Sequence, residues 1–136
     1  MKKNTVKFIC NKLSRDKTVA NMESTGITTN HTILTGTALI AALNKKLVEE
    51  AHEVIEAFSG DNRNEMISEL VDVLDLIDAL RKTHNITMDE IKEVQKATHL
   101  KRGGYENGIF METIEMEEDN PWVTHFRKSP EKYPEI

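Results

Sequence analysis

The sequence predicts an all-α protein. Long segments repeat apolar residues at helical spacing, N-capping signals open the second and third of them, and all three prolines fall in the last 16 residues. At 136 residues the chain suits a single domain over 1–136, with a helical core at about 37–101 and an irregular tail at about 111–136.

Residues 1–36 carry Thr, Asn and Gly with little periodicity and read as mostly loop with short extended pieces. A first helix is expected from about Thr37 to Phe58, closed by Ser59-Gly60. Asn62 and Glu65 have the spacing of an N-cap and its third helical residue, opening a second helix that ends near His84-Asn85. Thr87 and Glu90 repeat that signal for a third, to about Lys101. Beyond it, Gly103-Gly104, Gly108 and the three prolines interrupt regular structure, and Trp122 and Phe126, four apart, suit one packed turn in the tail.

Composition excludes several classes. A net charge of −5 lacks the basic excess of a nucleic-acid surface. No apolar run approaches the roughly 18 residues of a membrane span, and the stretch after Met1-Lys2-Lys3 is too short for a signal-peptide core. With Cys10 alone, no disulfide forms within the chain, and a reducing, cytoplasmic setting is expected. Charge is uneven: residues 49–78 hold ten carboxylates and one arginine, net −9, leaving +4 elsewhere. An acidic centre between basic flanks suits a site for cations and, through them, a polyanion.

At about 100° per residue, Glu50 lies within about 40° of Leu39, Leu43, Val54 and Ala57, and Glu69 within about 40° of Val73, Leu76 and Leu80. Glu53 and Asp72, one turn on, sit about 60° round at the stripe edges. Each helix therefore sets one carboxylate inside its apolar face and a second at the rim, while Glu49, Glu56, Asp75 and Asp78 point toward water. Few polar residues interrupt Met66–Leu80, so the second helix is expected to be largely buried, with its apolar face covered by another subunit. Four converging carboxylates repel one another and desolvate at a cost of several kcal/mol, more than Lys46 alone offsets. A divalent ion meets that demand, and oxygen ligands favour Mg²⁺ or Mn²⁺ over zinc.

These residues resemble a known signature. Lys46-Leu47-Val48-Glu49-Glu50-Ala51-His52-Glu53, then Glu69-Leu70-Val71-Asp72 after 15 intervening residues, resembles the E-x-x-E … E-x-x-D pattern of the all-α nucleoside triphosphate pyrophosphohydrolases, the MazG-like superfamily. Asn11-Lys12-Leu13-Ser14-Arg15-Asp16-Lys17 resembles the N-K-L-V-R-D-K-I-P opening of a phosphoribosyl-ATP-pyrophosphohydrolase-like house-cleaning group, and Lys101-Arg102-Gly103-Gly104-Tyr105 its R-G-G-F segment. Ser14, Thr18-Val19 and Tyr105 depart from those patterns. The resemblance implies a MazG-like helical bundle completed by homo-oligomerisation, with Glu50, Glu53, Glu69 and Asp72 as metal ligands and catalytic residues. It implies Mg²⁺-dependent cleavage of the α–β phosphoanhydride of a non-canonical nucleoside triphosphate, giving monophosphate and pyrophosphate. Lys46, Arg15, Lys17, Lys101 and Arg102 are the candidates for the phosphate tail. The alternatives are phosphoribosyl-ATP as substrate, or a non-catalytic helical oligomer that binds divalent cations.

Overall fold

The computed structural model describes residues 3–136, so the Met1-Lys2 start of the signal-peptide reading lies outside the described residues. Five helices follow in order among them, with no strand: α1 (Thr18–Glu23), α2 (Gly36–Phe58), α3 (Arg63–Thr83), α4 (Met88–Arg102) and α5 (Trp122–Arg127). The all-α expectation holds. Among the described residues no helix is long and apolar enough to cross a membrane. The chain divides into two compact units, Met1–Gln95 and Lys96–Ile136.

In the first unit α2 and α3 form a helical hairpin, the one pair of helices in substantial contact among the described residues. Its boundaries follow local chemistry. Asn62 takes an extended backbone, and its Oδ1 accepts from the Glu65 N–H at 3.1 Å, capping α3. At the other end Asn85 adopts φ +54°, and the N–H groups of Asn85 and Ile86 return to the carbonyls of Lys82 and Arg81. This is the reverse turn that commonly closes a helix on a left-handed residue. Thr87 and Glu90 cap α4 reciprocally: Thr87 N–H donates to Glu90 Oε2 at 2.7 Å, and Glu90 N–H to Thr87 Oγ1 at 3.1 Å.

Several expectations need correction. Residues 18–23 form α1 rather than loop, although no side chain in it is buried. Helix α2 does close at Ser59-Gly60 as expected, Ser59 in a right-handed conformation with its Oγ donating to the Glu56 carbonyl, and the Gly60 N–H returning to the Ala57 carbonyl. The larger correction concerns α3, which has no fully buried residue. Ile67, Leu70, Val71, Leu74 and Ile77 stay exposed because α2 covers only one side of an apolar band that runs most of the way round the helix.

The buried positions of the hairpin are Leu43, Glu50 and Ala57, spaced by seven along α2 so that they stack on one line of its surface. A carboxylate therefore sits between two apolar neighbours.

In the second unit the tail is less irregular than expected. Asn120 Oδ1 accepts from the Trp122 N–H at 2.9 Å, and Pro121 precedes the first helical residue, starting α5. Trp122, His125, Phe126 and Tyr133 stack edge to face, Phe126 and Tyr133 with ring centroids 4.9 Å apart.

Candidate metal centre

The hairpin brings the acids of α2 and α3 to one focus. Glu50, Glu69 and Asp72 each offer a carboxylate oxygen within 4.8 Å of the others, forming a candidate cation site among the described residues. Glu50 is 8% exposed, and Glu69 and Asp72 are half-buried. Glu53, the fourth acid expected there, is exposed and stands outside this trio. One turn along α2 carries it from the buried line to the rim.

Cations border the acids. Lys46 Nζ lies 3.2 Å from Glu50 Oε1 and 3.4 Å from Glu49 Oε1, and Lys12 Nζ lies 3.2 Å from that same Glu49 oxygen. On α3, Arg15 spans two carboxylates: Nη2 donates to Asp72 Oδ1, and Nη1 donates to Asp75 Oδ2 at 2.7 Å. Three outward acids are thus not simply solvated. Glu49 meets Lys12 and Lys46, Asp75 meets Arg15, and Asp78 meets Arg81 and Lys82. Asp75 and Lys12 are the site neighbours that periodicity missed, because their partners come from a distant segment; the three-residue spacing of Lys12 and Arg15 was the available signal.

The charges respond to this arrangement. Partial burial pushes the Glu69 carboxyl up from its ordinary value, and the negative charges of Glu50, Asp72 and Glu53 push it the same way. Burial pulls Lys46 down, but its bond to Glu50 and the charge of Glu49 outweigh that and leave it raised. Asp75 first, then Asp72, raises Arg15. Lys46 thus serves Glu50 and Arg15 serves Asp72, while Glu69 has no ion-pair partner among the described residues. Three oxygen donors with one carboxylate resisting ionisation fit a hard divalent cation, which would relieve that repulsion.

The other tail-binding candidates are placed less specifically. Lys17 precedes α1, exposed and without an ion pair among the described residues. Lys101 and Arg102 end α4 in the second unit, both exposed. Tyr105 beside them is also exposed, so it is no core aromatic.

Comparison with known proteins places this hairpin. The family model described as phosphoribosyl-ATP pyrophosphohydrolase matches residues 28–99, just over half of the chain, and contains Lys46, Glu50, Glu53, Glu69 and Asp72. A phosphoribosyl-ATP pyrophosphatase of Bacillus cytotoxicus is 44% identical over 55 residues, covering 40% of this chain and 51% of that protein. The chain thus spans about half the length of the curated relative it matches. No solved structure matches. The acids that converge between α2 and α3 lie inside the matched span, and the chain belongs to the phosphoribosyl-ATP pyrophosphohydrolase family, within the all-α MazG-like superfamily.

Proposed function

We propose that this protein is a divalent-cation-dependent pyrophosphohydrolase that cleaves the α–β phosphoanhydride of phosphoribosyl-ATP and releases pyrophosphate, in a reducing, cytoplasmic setting. The observation that carries this reading is the convergence of Glu50, Glu69 and Asp72 within the family-matched residues. The family match and the Bacillus cytotoxicus relative support phosphoribosyl-ATP over a general nucleoside triphosphate.

Glu50, Glu69 and Asp72 would hold Mg²⁺, with Mn²⁺ as a substitute. Bound Mg²⁺ supplies charge neutralisation on the departing pyrophosphate and a more acidic water as nucleophile. Lys46 gives the buried Glu50 an ion-pair partner 3.2 Å away. Glu53, exposed at the rim and outside the trio, is the carboxylate left to take the proton of the attacking water. Arg15 and Lys17, in the same unit as the acids, are the charges proposed for the phosphates.

One observation favours a second reading. Residues 11–17, which resemble the house-cleaning group, lie outside the matched span, yet Lys12 and Arg15 reach the acids of α2 and α3. A different N-terminal contact with substrate would suit a non-canonical nucleoside triphosphate. Purified protein with Mg²⁺ and a panel of phosphoribosyl-ATP and nucleoside triphosphates separates the two by kcat/KM for pyrophosphate release. Mg²⁺ binding without turnover on any member would leave only a cation-binding helical oligomer.

Variants test the roles. Glu50→Gln and Glu69→Gln should weaken Mg²⁺ binding by more than the roughly 10- to 100-fold typical of residues that merely support metal ligands. Glu53→Gln should keep Mg²⁺ affinity and lose turnover; equal loss of affinity in all three would make Glu53 a ligand.

A further inference from the structure

The fork of Arg15 is the longest-range ion pair at the site, joining residues 57 and 60 positions apart in sequence. It is also misplaced for a residue that serves only the phosphates, because it occupies a carboxylate of the trio. Asp72 and Asp75 lie three residues apart on α3, so they project side by side and match the two arms of one guanidinium. Asp75 lies outside the trio, and the described contact it makes is with Arg15.

We propose that Asp75 is a positioning residue: it parks Arg15 on Asp72, where the guanidinium stands in for a divalent cation, and entry of that cation releases the N-terminal segment. The inference rests on the assignment of Glu50, Glu69 and Asp72 as holders of the cation. An ion bearing two positive charges at Asp72 repels a guanidinium bonded to that same carboxylate, so the two compete. In the metal-free protein Arg15 masks one of the three acids. Once displaced, Arg15 is free to meet a phosphate tail, which orders the events: cation first, then the N-terminal segment on the substrate. Among the described residues, Lys12 joins the same segment to α2 only through a single, largely exposed ion pair with Glu49, a contact that solvent screens to little strength, so it does not hold the segment once Arg15 leaves.

Two properties of the chain make this measurable without turnover. Cys10 is the single cysteine, it is exposed, and it lies five residues before Arg15, so a nitroxide attached there reports the motion of the segment. Asp75→Asn, moreover, separates displacement from simple electrostatics. Loss of a nearby negative charge alone weakens cation binding, whereas loss of one arm of a competing arginine strengthens it.

The experiment pairs the Cys10 nitroxide spectrum with calorimetric Mg²⁺ titration of the full chain. Mg²⁺ should narrow the wild-type spectrum. Asp75→Asn should be narrow before Mg²⁺ is added and bind Mg²⁺ about threefold more tightly. Asp75→Glu, which keeps the acid, should restore the wild-type behaviour. Mg²⁺ binding with an unchanged Cys10 spectrum, or equal or weaker binding by Asp75→Asn, overturns the proposal and leaves the metal assignment standing. No Mg²⁺ binding by any of the three proteins overturns both.

Discussion

The open face of α3 makes the most exposed physical prediction. Ile67, Leu70, Val71, Leu74 and Ile77 are each between 42% and 63% exposed. Full burial of one such side chain contributes roughly 1.5–3 kcal/mol. Their exposed fractions together equal between two and three whole side chains, so covering the band yields about 4–7 kcal/mol per chain, or about 8–14 kcal/mol for a symmetric pair. Association costs on the order of 4–15 kcal/mol, so the gain from this face is of the size that pairing of two chains requires. Leu74, at 63% the most exposed of the five, is the lever. Leu74→Glu removes roughly 1–2 kcal/mol from each chain. Through two chains that weakens association about 30- to 700-fold, before the cost of burying a charge is added. Sedimentation velocity from about 1 to 200 µM should show wild-type protein as an oligomer and Leu74→Glu as a monomer, with Leu74→Met close to wild type. Because α2 and α3 bury so few side chains between them, loss of helical circular dichroism on dissociation is also expected. A wild-type monomer at about 200 µM, or an unaltered Leu74→Glu oligomer, would refute the reasoning.

Electrostatics and capping give two further outcomes. The Glu69 carboxyl is raised in the folded state by partial burial first and then by Glu50, Asp72 and Glu53, so the metal-free native protein holds that proton where the unfolded chain has lost it. The resulting stabilisation is fully present below the unfolded pKa and is lost as pH rises through the folded one. Metal-free Glu69→Gln should therefore melt higher than wild type at neutral pH, a gap that closes toward acid; a lower melting temperature at neutral pH would contradict it. Asn62→Ala removes the acceptor for the Glu65 N–H and should cost about 1 kcal/mol, roughly 3–5 °C in melting temperature, with Mg²⁺ affinity unchanged by calorimetry.

The charged groups of the candidate site come from two parts of the chain. The residues inside the matched span supply the acids and Lys46, whereas Arg15 and Lys12 come from outside it. Under the proposed function the acids would meet the cation and its phosphates rather than the base or the sugar, so by themselves they would not separate phosphoribosyl-ATP from other triphosphates.

The sequence by itself determined the helices and their caps, because a hydrogen bond between Asn62 and Glu65 or between Thr87 and Glu90 involves residues three apart and needs no tertiary partner. It also set Glu50 between Leu43 and Ala57, since the helical period is a local property. Only the tertiary structure decided that Glu53 stands outside the trio, that Asp75 holds Arg15, and that half the apolar band of α3 is left open. The physical reason is the same in each case. A period tells which way a side chain faces around its own axis, but not how far the neighbouring helix reaches across, nor where an aperiodic segment some 60 residues away comes to rest.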